Sequence, residues 1–60
     1  MLSVDEKFKK TLDQVNKCYR KEWGYELAAG ELISLWRAGE LSLTDSQEDT
    51  LIEYTEAHNL

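Results

Sequence analysis

Val4, Phe8, Leu12, Val15, Tyr19 and Trp23 recur at intervals of three or four residues, and no other pattern in the chain constrains its fold as much. On a helix that spacing draws one narrow apolar stripe; a half-buried strand would need strict alternation instead. The start of this helix is marked by Ser3 followed by Glu6, the spacing of a capping box. Asp5 and Glu6 then lie near the positive end of the helix dipole. Lys10, Lys17 and Lys21 fall opposite the stripe, and Asp5–Lys9, Glu6–Lys10 and Asp13–Lys17 have i,i+4 spacing for ion pairs. Gly24 suits the helix end.

A second helix is expected from Tyr25 or Glu26 to Ala38, closed by Gly39. Its best face is Tyr25, Ala28, Ala29, Leu32, Leu35 and Trp36, with the two alanines small enough to let another helix approach. Gly30 lies on the polar side and weakens the helix by about 1 kcal/mol relative to alanine. Leu27 and Ile33 fall off the main stripe, which marks either a central helix or an exposed apolar patch. In the link after Gly39, Leu41 and Leu43 can plug the end of the core or form a short extended piece. Thr44 with Gln47 repeats the capping-box spacing and opens a third helix over Asp45–His58. That helix has a thin apolar face of Leu51, Tyr54 and Ile52, so it is expected to pack as an outer, weakly held element.

Sixty residues, without proline and with glycine at only three positions, make one domain spanning residues 1–60. The fold class is all-α: a small three-helix domain in which the long N-terminal helix packs on a helix–turn–helix hairpin. In the alternative arrangement a dimer completes the core. A domain of this size derives only about 3–5 kcal/mol from its core, so a partner or a second copy is a natural source of further stability.

The chain offers little chemistry. Cys18 and His58 are its only cysteine and histidine, too few for a disulfide framework or a four-ligand metal cluster, and no cofactor is expected. Asp45, Gln47, Asp49, Glu53 and Glu56 fit some positions of a calcium loop, yet Thr50 stands where the loop needs glycine. Cys18 lies at the edge of the first stripe beside Lys17 and is expected at the core margin, with no base placed to activate it. His58 is expected as a helix-end cation. There is no glycine-rich phosphate loop and no nucleophile elbow. The chain is therefore expected not to be an enzyme.

Charge is unevenly distributed. Residues 1–23 carry six basic groups against four acids, a net of +2; residues 24–60 carry only Arg37 against eight acids, a net of −7. The anionic half repels phosphate backbones, and the basic groups of the first helix alternate with Glu6, Asp13 and Glu22, so direct nucleic-acid binding is not expected. The opening Met1-Leu2-Ser3-Val4-Asp5-Glu6 lacks a basic region followed by an apolar one, and no apolar run approaches a membrane span, so membrane association is not expected. With one unpaired cysteine the expected location is cytoplasmic.

These features point to a non-catalytic protein-interaction module, a small regulator or inhibitor that docks on a larger protein with a basic surface. The expected anchors are Leu27, Ile33 and Trp36, with Glu48, Asp49, Glu53 and Glu56 as steering charges. Trp23, Tyr25 and Trp36, with Tyr19 one turn before, form an aromatic group that serves either the core or an interface. Two alternatives follow from the same residues: an acidic mimic of nucleic acid, of the kind phages encode, that blocks a DNA- or RNA-binding enzyme, and a self-associating helical module.

Overall fold

Helix ends in this chain are fixed by local capping chemistry. A computed structural model describes residues 2–60 and contains three helices: α1 (Val4–Trp23), α2 (Ala29–Arg37) and α3 (Asp45–Ala57). At the start of α1 the Ser3 hydroxyl accepts the Glu6 N–H at 3.2 Å. The helix stops at Gly24, whose φ of +69° lets its N–H return to the Arg20 carbonyl at 2.9 Å. α3 opens with the full reciprocal box: Thr44 Oγ1 accepts the Gln47 N–H at 3.2 Å, and Gln47 Oε1 accepts the Thr44 N–H at 3.0 Å.

α2 and α3 both end in Schellman geometry. The N–H of Glu40 reaches back to the Leu35 carbonyl at 3.0 Å around Gly39, which has φ +74°. At the other helix the N–H of Leu60 reaches the Thr55 carbonyl at 2.8 Å around Asn59, which has φ +57°. Asparagine tolerates this left-handed region better than most side chains, and here it ends α3 without a glycine.

α2 is shorter than the apolar pattern predicts: it begins at Ala29, not at Tyr25 or Glu26. Its start is set from α1, where the buried Asn16 amide accepts the Leu27 N–H at 2.7 Å and donates to the Leu27 carbonyl at 3.2 Å. Both backbone groups of Leu27 are thereby committed, and Ala28 follows in an extended conformation with ψ 167°. Ala28 has no side-chain acceptor, so only half of a capping box forms, with Glu31 Oε1 accepting the Ala28 N–H at 3.4 Å. Gly30 consequently lies in the first turn of α2.

The core is built from Phe8 and Val15 of α1, Leu27, Leu32 and Ile33 around α2, and Leu51 of α3. Burying each of the larger side chains contributes roughly 1.5–3 kcal/mol. The rest of the α1 stripe, Val4, Leu12, Tyr19 and Trp23, is half-buried around this centre. Leu41 and Leu43 close one end as partly buried plugs, and the Tyr19 hydroxyl donates to the Ser42 carbonyl of the same link at 3.4 Å.

α3 is not the loosely attached outer helix that its thin apolar face suggests. It is the main helical partner of α1, running antiparallel to it. His58 Nε2 lies 2.6 Å from Asp5 Oδ1, Tyr54 stacks on Phe8 with ring centroids 3.8 Å apart, and Gln47 meets Gln14 at 3.4 Å. The Tyr54 and His58 rings also meet, tilted by 42° with centroids 4.4 Å apart. These polar and aromatic contacts supply what a count of leucines misses. Arg37 further ties α2 to the end of α3 by donating to the Leu60 carbonyl oxygen at 2.8 Å.

Other expectations are corrected by the packing. Cys18 is exposed rather than at the core margin. Tyr25, placed on the apolar face of an earlier-starting helix, lies in the bend between α1 and α2 and is 54% exposed. The i,i+4 pairs on α1 do not form; among the described residues Arg20–Glu26 pairs at 3.6 Å, and Asp5 instead meets His58 in a hydrogen bond.

Candidate interaction surface

α3 presents two chemically distinct faces. Gln47, Leu51, Tyr54, Thr55 and His58 follow the helical repeat along the side facing α1 and the core, with Leu51 and Thr55 buried. The remaining positions turn outward and carry Asp45, Glu48, Asp49, Glu53 and Glu56, all exposed. α3 contains no basic residue, and none of these five carboxylates lies in an ion pair. Like charges one turn apart on a helix are mutually destabilising, so this face carries a small folding cost that an opposite charge would relieve.

Ile52 sits within this anionic face. Its side chain is 42% exposed, with Glu48, Asp49 and Glu56 one turn away along the helix and Glu53 next in sequence. The expected thin apolar face of α3 includes Ile52 beside Leu51, and the structure turns Ile52 outward. The 4-3-4 repeat of Gln47, Leu51, Tyr54 and His58 already completes that face, and Ile52 lies about 100° away from Leu51 around the axis. That repeat was the available signal.

Two of the expected anchors move the other way. Leu27 is 4% exposed and Ile33 6%, and both belong to the core, so neither is free to enter a partner. The physical reason is the shortened α2: with its start at Ala29, Ile33 and Leu32 together face inward, and Leu27 is drawn under α1 by Asn16. Trp36 is half-buried against the same core. The structure thus brings Glu48, Asp49, Glu53 and Glu56 together on one helix, whereas Leu27 and Ile33 lie in the core and Trp36 packs against it.

Two clefts among the described residues are lined by groups already committed elsewhere or by small and apolar side chains. One is lined by Asp13, Asn16, Lys17, Arg20 and Glu26; its Asn16 amide is committed to Leu27, and Arg20 faces Glu26. Another runs over the extended segment and α2, between Tyr25, Ala28, Gly30, Glu31, Ser34 and Leu35. Because 45–57 is one continuous helix, its carboxylates point outward in different directions rather than converging as in a calcium loop. Among the described residues no group of three potential ligands is placed to hold a metal ion, and no helix is long and apolar enough to cross a membrane. The chain matches no family model, and neither a curated protein nor a solved structure matches it.

Proposed function

We propose that this chain is a non-catalytic interaction module, a small regulator or inhibitor that docks on a larger protein through the outer face of α3. The observation that carries this reading is Ile52, an exposed apolar side chain among carboxylates that have no partner in the fold. An apolar anchor within a charged rim is the usual layout of an interface: the anchor supplies affinity, and the rim supplies steering and selectivity. The partner surface is accordingly basic, with an apolar depression for Ile52. A reducing, cytoplasmic setting suits the single exposed thiol of Cys18.

The acidic-mimic form of this reading draws on one further feature. Asp45, Asp49 and Glu53 follow at intervals of four residues, a row of carboxylates about 6 Å apart along the helix. Such a row presents regularly spaced negative charge to a site built for phosphates.

The test compares tagged wild type with Ile52→Ala and with a Glu48→Lys/Glu56→Lys variant in capture from native lysate. A basic protein retained by wild type and lost from both variants supports docking through α3. An identical set retained by all three overturns it. Release of the captured protein by duplex DNA selects the mimic form.

A further inference from the structure

α1 and α3 leave a shallow groove between them, and its two lips carry opposite charge. Lys7 and Lys10 line it from α1, and Asp49 and Glu53 from α3. Between the lips the lining is mostly polar, with Thr11, Gln14, Gln47 and Thr50, and Leu2 is the one large apolar side chain against it. No ion pair crosses the groove among the described residues, which leaves a basic lip and an acidic lip side by side and unsatisfied.

Such a face is its own complement. Two copies placed face to face are related by a two-fold axis in the plane between them, and a closed dimer needs one patch that matches itself. An axis running across the helices would set α1 over α1 and lysine over lysine. An axis running along the helices sets α1 of one copy over α3 of the other, antiparallel, with lysines opposite carboxylates. Within one copy Phe8 of α1 stands level with Tyr54 of α3, and that axis preserves height. Lys7 and Lys10 therefore fall within about a turn of the other copy's Glu53 and Asp49.

We infer that a second copy of this chain is the occupant of the α1–α3 groove, forming a two-fold dimer by exchange of Lys7 and Lys10 against Asp49 and Glu53. A duplex nucleic acid fits the face less well, since carboxylates line one full lip. The dimer is weak and salt-sensitive. The largest projection of the molecule is 31 × 24 Å, so the face falls short of the roughly 800 Å² per partner of a standard interface. Exposed ion pairs add little each and are screened beyond about 10 Å at 0.1 M salt. This inference does not need docking through Ile52, which does not line the groove, although Asp49 and Glu53 also belong to the acidic face that Ile52 sits in.

Sedimentation equilibrium of the wild-type chain from micromolar to millimolar concentration tests it. The expected result is a monomer–dimer equilibrium at about 10 mM salt that weakens tenfold or more by about 0.3 M. Lys7→Glu/Lys10→Glu and Asp49→Lys/Glu53→Lys are each expected to be monomeric and to form a one-to-one pair when mixed. A control with reversals off the face, Glu22→Lys/Glu40→Lys, is expected not to pair with the lysine-reversed chain. Wild type that stays monomeric at low salt overturns the inference, as does equal pairing with the control. A monomer that binds duplex DNA through Lys7 and Lys10 also overturns it, and assigns the lysine lip to polyanions instead.

Discussion

The Asn16 side chain meets both backbone polar groups of Leu27, accepting the N–H at 2.7 Å and donating to the carbonyl at 3.2 Å. A primary amide has one face that imitates a backbone pairing edge, and here it stands in for a neighbouring strand. The consequence reaches beyond two hydrogen bonds, because the clamp holds the chain extended through Ala28 and so decides where α2 begins.

Asn16→Ala is expected to destabilise the domain by about 2–3 kcal/mol, since two buried backbone groups lose their partners together. Against a net stability of roughly 3–5 kcal/mol, that leaves about 0–3 kcal/mol, and at the lower end of this range half of the molecules are unfolded at room temperature. Asn16→Asp keeps the acceptor but sets a carboxylate against the Leu27 carbonyl, so it should also be less stable than wild type. Urea denaturation followed by helical circular dichroism measures both. A loss below about 0.5 kcal/mol for Asn16→Ala would show that water replaces the clamp at little cost.

α3 should unfold with the rest of the domain. Leu51 is fully buried, and Tyr54 stacks on Phe8 of α1, so detaching α3 would open the core. Leu51→Ala is expected to cost about 2–5 kcal/mol. Native-state hydrogen exchange should find the central amides of α3 as protected as those of α1. Exchange in α3 that is faster by orders of magnitude would restore the picture of a peripheral helix.

The α1 stripe, the capping residues Ser3, Thr44 and Gln47, and the helix end at Gly24 were all readable from spacing, because each depends on residues within a few positions of one another. The start of α2 was not. It depends on Asn16 meeting Leu27 across eleven positions, and a lone asparagine on an apolar stripe carries no local mark of its partner. The same non-local contact explains why Leu27 and Ile33 read as surface anchors: with α2 drawn from Tyr25, their directions around the axis looked peripheral. The acidic half of the surface was legible as composition, whereas the exposure of Ile52 needed the direction in which α3 faces. That direction is set by Leu51 in the core together with Tyr54 stacking on Phe8.

Glycine substitutions should separate two roles. Gly39 adopts φ +74° to close α2, and Gly30 lies in ordinary helix with open space where a Cβ would stand. Gly39→Ala is therefore expected to cost about 1 kcal/mol through backbone strain alone. Gly30→Ala should stabilise by about 0.4–1 kcal/mol, because it removes unfolded-state freedom without a clash. Thermal melts of the two variants should move in opposite directions, and a parallel shift would contradict the assignment of Gly30 to α2.

Ile33 and Ile52 are the same residue type in opposite situations, and the pair divides folding from docking. Ile33 is buried in the core, and Ile33→Ala should cost about 2–5 kcal/mol by leaving a cavity. Ile52 projects among carboxylates, and Ile52→Ala should change stability by no more than about 0.5 kcal/mol, as surface substitutions do. Binding should reverse this order. With a basic partner in hand, Ile52→Ala should weaken affinity tenfold or more, mainly through faster dissociation, since a central apolar anchor acts after the encounter. Glu48→Lys/Glu56→Lys should act mainly on the association rate, and its effect should shrink as salt rises. Stopped-flow association and dissociation rates at two salt concentrations read both terms. Were Ile52→Ala to leave both rates unchanged while the charge reversal lowered association, the surface would bind through its carboxylates alone, as a polyanion mimic does.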